Sequence, residues 1–217
     1  MPRAQGHRAG AQRIYEVVRA ACDLGVRVVT FYAFSSENWV RPKKEIEVLM
    51  RLLDIYLDRQ IKLLHESNIR FIVIGRSNPV PGYLQKKIKQ AENKTKDNTG
   101  MVMALALNYG SRQEIADAVK KIAGAVISKE LDIEDVNEDE ITRNLYTRGL
   151  PDPDLLVRTS AEMRLSNFLL WQLSYAELYF PKVYWPDFGK EELYTAIKEY
   201  QSRKRRFGNI DAAKKNN

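Results

Sequence analysis

The sequence predicts an α/β fold, a single domain whose mostly parallel β-sheet is flanked by helices. Three observations predict it. Strand and helix signals alternate almost throughout, and a chain returning to a parallel strand needs a crossover helix. The 217 residues, 44% of them hydrophobic, are enough to fill one large core. No internal repeat, low-complexity segment or interdomain linker divides the chain. The domain is read as residues 1–208, with a polar tail at 209–217.

The elements follow in order. Ile14, Val17, Val18, Ala21 and Cys22 have helical spacing, and Gly25 is placed to end that helix. Residues 26–34 read as a buried strand, rich in β-branched and aromatic side chains. Pro42 can open the next helix, where Ile46, Leu49, Leu53, Tyr56, Leu57 and Leu64 form a long apolar face. A strand at 69–74 leads into a loop holding Pro79, Pro81 and Gly82, then a basic helix at 83–96. Asn98, Thr99 and Gly100 turn the chain into a strand at 101–107. Ser111 and Glu114 have capping-box spacing for the helix that follows, and Asn137 and Glu140 repeat it for a shorter one. Residues 154–158 read as a short strand, 166–173 as helix, 177–180 as strand and 190–206 as helix. The chain opens on a loop and a helix, with no strand ahead of them.

Composition narrows the function. The longest apolar run, residues 101–107, is far too short to span a bilayer, and no signal-peptide pattern occurs. The single cysteine, Cys22, excludes an internal disulfide and any cysteine-based metal cluster. A soluble cytoplasmic protein is the expectation. Thirty-five basic against 28 acidic residues give a net charge of +7, which favours an anionic partner. Nucleic-acid binding would need aromatic residues interleaved with basic ones, whereas the aromatics here lie in apolar strands and near W-P-D-F. That reading rests on charge alone, and no nucleic acid is expected as partner.

Ligands of parallel sheets bind beyond the carboxyl ends of the strands. Ser35-Ser36-Glu37-Asn38-Trp39 follows one strand, Asn108-Tyr109-Gly110 another and Arg158-Thr159-Ser160 a third. In R-T-S-A-E-M-R-L-S, two arginines and two serines at a strand end could cradle a phosphate, since guanidinium forks match phosphate oxygens. A surface loop with an ion pair from Glu162 to Arg158 or Arg164 explains the same residues. Trp39 could stack on an apolar ligand while its polar neighbours hold a head group, or simply pack into the core. His7, with Arg3 and Arg8 ahead of the first helix, could meet a phosphate or be an exposed polar residue. No Walker loop, dinucleotide fingerprint or serine triad is present.

F-Y-A-F-S-S-E-N-W-V-R-P, R-T-S-A-E-M-R-L-S-N-F-L-L-W-Q and Y-A-E-L-Y-F followed by W-P-D-F resemble, in order and spacing, signature segments of the cis-prenyltransferases, the family of undecaprenyl diphosphate synthase. The C-terminal R-R-F-G is also similar. The resemblance implies extension of an allylic diphosphate, such as farnesyl diphosphate, with isopentenyl diphosphate, in a homodimer using Mg2+. It implies that Arg158, Arg164, Leu165 and Ser166 hold isopentenyl diphosphate, while Arg3, His7 and Arg41 serve the allylic diphosphate. Ser35, Ser36, Glu37 and Trp39 would line the reacting centre, with Asn38 aiding proton removal. Glu177 would bind magnesium and Asp187 would be an auxiliary carboxylate. An apolar tunnel between the sheet and the helix after Pro42 would take the product. The dimer interface would lie near residues 175–180, and the hydrocarbon product implies contact with a membrane surface.

The chain departs from the family pattern at two places. The family begins with a strand and the loop D-G-N-G-R-W, whose aspartate binds magnesium; here Met1 leads directly into P-R-A-Q-G-H. The expectation is an N-terminally truncated chain with impaired activity, since a lost metal ligand can cost several kcal/mol of transition-state stabilisation. A noncatalytic subunit of a prenyltransferase complex is the alternative reading. At the second place, Ala161 stands where the family has glycine, which would add strain of about 1 kcal/mol if φ is positive there.

Overall fold

The computed structural model describes residues 3–203; within the first helix, the side chains of residues 3–5, 7 and 8 lie outside that description. The described residues form six helices and five strands, in the order α1 (Arg3–Asp23), β1 (Val28–Ser35), α2 (Lys43–Glu66), β2 (Arg70–Ile74), α3 (Gly82–Thr95), β3 (Val102–Tyr109), α4 (Ser111–Ile127), α5 (Glu138–Asn144), β4 (Leu155–Val157), β5 (Glu177–Tyr179) and α6 (Lys190–Ser202). Short 3-10 turns occupy Ser36–Val40, Ile133–Asp135 and Trp185–Asp187.

All the strand pairs are parallel, as predicted, but they form two sheets rather than one. The first has the order β1-β3-β2, with Val102 in register with both Val28 and Arg70. The second pairs β4 with β5, Leu155 opposite Glu177. Central β3 is buried from Met103 to Tyr109, as a parallel strand covered on both faces must be. Its neighbour β2 is an edge, and α3 closes it: Thr95 Oγ1 accepts from Phe71 N at 3.0 Å and Glu92 Oε1 from Val73 N at 2.8 Å. Along β1, on the other edge, six of the eight residues are only half-buried and Ala33 is exposed.

Helix α2 starts after Pro42, whose carbonyl accepts from Glu45 N and Ile46 N. Its Met50, Tyr56, Leu57 and Leu64 pack with Phe71, Leu84, Met103 and Leu105 into the main core. Val29, Phe31, Ile46, Leu49 and Leu53 stay half-buried around it. A groove of about 210 Å³ separates α2 from α3, lined by Leu57, Ile61, Lys87 and Ala91.

Three local expectations fail. Residues 166–173 form turns, not a helix, with Ser166, Asn167 and Leu169 at positive φ. Their backbone is claimed by α4, because Ser111 N donates to Asn167 O at 2.8 Å and Leu170 N to Ser111 Oγ at 3.0 Å. The capping box Ser111–Glu114 therefore does not form. Glu114 is fully buried and accepts from Tyr109 Oη (2.5 Å), Tyr146 N (2.7 Å) and Gln172 Nε2 (3.1 Å). That network anchors a second core of Ile74, Tyr109, Leu156, Phe168, Leu169 and Leu173 beneath the strand ends. Finally, the chain is helical from Arg3, so His7 belongs to the second turn of α1 instead of preceding it. The Asn137 cap does hold, its Oδ1 accepting from Glu140 N at 3.0 Å.

Candidate active site

Two chain segments at the carboxyl ends of strands meet. The first is the Ser36–Val40 turn after β1, closed from within: Asn38 Oδ1 accepts from Ser35 N at 3.1 Å and Asn38 O from Arg41 N at 3.0 Å. Trp39 is half-buried against the main core, lying edge-on to Phe34 with centroids 4.9 Å apart. Its indole N–H donates to Asn108 Oδ1 at 2.7 Å, and the Asn108 amide donates to Arg76 O and Asn78 O, each at 2.8 Å. Asn108 is buried at φ +49, so one asparagine fastens the turn after β1 to the loop after β2. Arg41 leaves the turn to pair with Glu45 in the first turn of α2, at 3.0 Å.

The second segment is the loop after β4. Arg158 donates to Ser166 Oγ at 2.9 Å and to the Arg164 carbonyl. Arg164 pairs with Glu162, the ion pair that the surface-loop reading expects. Burial and then the neighbouring Arg164 cation push Arg158 below the usual arginine range. The backbone is wound tightly: Ser160 and Ala161 have φ +69 and +53, and their N–H groups donate to Val183 O (2.8 Å) and Pro181 O (2.9 Å). Ala161 therefore does occupy a left-handed position. Leu165 is half-buried against the second core.

Asn167 joins the two segments. Its Nδ2 donates to Glu37 Oε1 at 2.7 Å and to Gln113 Oε1 at 3.0 Å, while its Oδ1 accepts from Arg112 N at 2.9 Å. Gly110 lies at the same junction, where a methyl group would come within 2.5 Å of Ser36 Oγ and 2.7 Å of Asn167 Nδ2. Beneath, the Tyr32 hydroxyl lies 3.2 Å from Tyr109 O and 3.4 Å from Ser166 O, and its ring stacks on Phe168 with centroids 4.4 Å apart. Burial and then the field of Glu37 push Tyr32 up to about 12, so it stays a neutral donor. Burial raises the Glu37 carboxyl, but the Asn167 hydrogen bond, its own amide and the nearby Ser35 hydroxyl outweigh this and hold it below the usual carboxylate range.

The remaining expected residues are not gathered here. Glu177 opens β5 opposite Leu155, whereas Arg158 follows the other end of β4; its Oε2 is held by Arg203 at 2.8 Å. No group of three His, Cys, Asp or Glu side chains that could hold a metal exists among the described residues. Asp187 belongs to the Trp185–Asp187 turn, which docks on α1 through Trp185 Nε1 to Gly10 O (3.0 Å) and Arg13 Nε to Pro186 O (3.0 Å). The side chains of Arg3 and His7 lie outside the described residues. Sequence reasoning missed Asn167, and it placed Asn108 at a strand end without the contacts it makes. Their signal was an asparagine at a strand end and another in S-N-F, both tolerant of positive φ.

Residues 1–208 match the prenyltransferase family described as undecaprenyl diphosphate synthase. An isoprenyl transferase of Clostridium tetani (strain Massachusetts / E88) is 49% identical over 210 residues, covering 97% of this chain and 82% of that protein. A ditrans,polycis-undecaprenyl-diphosphate synthase, (2E,6E)-farnesyl-diphosphate specific, of Vibrio vulnificus (strain YJ016) is 46% identical over 207 residues, 95% of this chain and 82% of that one. The crystal structure of lavandulyl diphosphate synthase from Lavandula x intermedia in complex with dimethylallyl diphosphate superposes with a TM-score of 0.92 at 38% identity, over 94% of this chain and 89% of that one. A fold of parallel strands with helical crossovers, a basic loop at the strand ends and matches of this coverage agree: the chain belongs to the undecaprenyl diphosphate synthase family of prenyltransferases.

Proposed function

We propose that the chain condenses isopentenyl diphosphate with an allylic diphosphate such as farnesyl diphosphate to make a cis-polyprenyl diphosphate. The observation that carries this reading is Arg158: a guanidinium set against Ser166, beside a second arginine, at the end of a parallel strand. Arg158, Arg164 and Ser166 take the isopentenyl diphosphate, and the Ser36–Val40 turn faces the allylic partner. Arg3, His7 and Arg41 belong with the allylic diphosphate. In the reaction the new carbon–carbon bond replaces the allylic carbon–oxygen bond, diphosphate leaves and the isopentenyl unit loses a proton. An amide is no base, so Asn38 orients that unit while the departing diphosphate takes its proton. The half-buried Val29, Phe31, Ile46, Leu49 and Leu53 are the apolar wall along which the product grows.

Mg2+ belongs to this reading as counter-ion to the diphosphates. The described residues do not form a site for it: Glu177 is bound by Arg203, and no cluster of ligands surrounds it. The same placement of Glu177 favours the second reading, a noncatalytic subunit that keeps the diphosphate cradle without the metal. The exposed Met163, Tyr175 and Tyr184 support a homodimer contact around the β5 segment. No helix among the described residues is long and apolar enough to cross a membrane, and a polyprenyl product supports work at a membrane surface in the cytoplasm.

The test is incubation with farnesyl diphosphate, radiolabelled isopentenyl diphosphate and Mg2+. Label extracted into butanol is the expected result. Binding of isopentenyl diphosphate without product would establish the noncatalytic subunit, and absence of both would overturn the family activity for this chain.

A further inference from the structure

We propose that Asn167 is a positioning residue that sets the distance between the two substrate half-sites, by bonding Glu37 of the Ser36–Val40 turn while its own backbone continues the Arg158 loop. This rests on the functional reading above, in which the turn and the loop serve different diphosphates. The contact spans the sequence from residue 37 to residue 167, and it is short, 2.7 Å. Asn167 is itself fixed from three further directions: its carbonyl takes Ser111 N (2.8 Å), its Oδ1 takes Arg112 N (2.9 Å) and its Nδ2 reaches Gln113 Oε1 (3.0 Å). It thus caps α4 from outside that helix, and its amide is the polar link between α4, the loop and the turn. Immediately before it, Ser166 Oγ is already bound by Arg158. Ser166, which Arg158 binds, and Asn167, which holds the carboxylate of the turn, are therefore neighbours along a single clamped backbone.

A bond-forming step between two separately held substrates depends on their relative placement, and a misplacement of about 1 Å can cost on the order of 100-fold in rate without weakening either binding site. Loss of the Asn167 bridge should show that signature, a fall in kcat with both KM values nearly fixed. Asn167→Asp is the informative variant, because it is nearly isosteric, tolerates positive φ and keeps an acceptor for Arg112 N. It removes only the donor and sets a second carboxylate against Glu37. Glu37→Gln then supplies a donor amide to that carboxylate, restoring the hydrogen bond with reversed polarity.

Steady-state kinetics with farnesyl diphosphate, isopentenyl diphosphate and Mg2+ are measured for the full chain, both single variants and the double variant, with melting curves alongside. The expectation is that Asn167→Asp lowers kcat about 30-fold or more with both KM values within about threefold. In the Glu37→Gln background the same change should cost at least tenfold less, a non-additivity that a capping role alone would not produce. Equal losses in both backgrounds, or KM values rising in step with the fall in kcat, would overturn the inference. If Asn167→Asp fails to fold, Glu37→Ala reads the same signature from the exposed side of the bridge, and a proportional rise in KM there overturns it. A wild-type chain without turnover would instead defeat the functional reading, and this inference with it.

Discussion

The turn after β1 and the loop after β4 stand side by side, yet they are built on opposite principles. The Ser36–Val40 turn is closed by Asn38, packed on Phe34 through Trp39 and fastened to β3 through Asn108. The loop after β4 carries four of the left-handed residues, Ser160, Ala161, Ser166 and Asn167, and brings two arginines together. Such conformations and like-charge contacts persist only where surrounding structure holds them, and they recur where an anion is to be bound. One half of the site is therefore structure that also serves chemistry. The other is chemistry held in place by its neighbours.

That contrast can be broken most directly at Arg158. Arg158→Ala should lower kcat/KM for isopentenyl diphosphate by about 100-fold or more, while the urea midpoint stays unchanged or rises slightly. The stability arm follows from the removal of one of two neighbouring cations. A large loss of stability would mean that the loop, like the turn, is held by its own polar contacts. The converse test is Asn108→Ala. It strands the Trp39 N–H and the carbonyls of Arg76 and Asn78 in a partly buried place, so it should cost about 1–2 kcal/mol in denaturant unfolding. An effect on turnover with stability intact would erase the distinction between the two regions.

Much of the fold was legible because parallel strands and their crossover helices write their burial into the sequence. The strand ends carrying Ser35 and Arg158 were found within a residue or two for that reason. The same logic explains the failure at residues 166–173. Phe168, Leu169, Gln172 and Leu173 are all buried, and their spacing is that of one helical face. Periodicity records which side chains are covered, not where the N–H groups bond, and there the bonds go to Ser111 and to turns. Glu114 misled in a related way: its offset from Ser111 suits a cap, but a fully buried carboxylate with three donors is a tertiary device. Of the site, the arginines and serines could be read as phosphate chemistry. The asparagines that align them could not, since an asparagine announces tolerance of positive φ without saying what its amide will hold.

The smallest expected effect isolates the conformational part of the contrast. Ala161 sits at φ +53 with its N–H bonded to Pro181 O, so its backbone is fixed and only its Cβ is out of place. For an alanine the left-handed region costs roughly 1–2 kcal/mol, which glycine avoids. Glycine gives back part of that gain, about 0.5–1 kcal/mol, through the greater freedom of its unfolded chain. Ala161→Gly should therefore stabilise the protein by about 0.5–1 kcal/mol, read as a higher urea midpoint at constant slope. Ala161→Val should move the midpoint the other way, because a β-branched side chain adds to the clash. If neither substitution shifts it, the loop relaxes out of the left-handed region when no anion is bound, and its strain is a property of the liganded state alone.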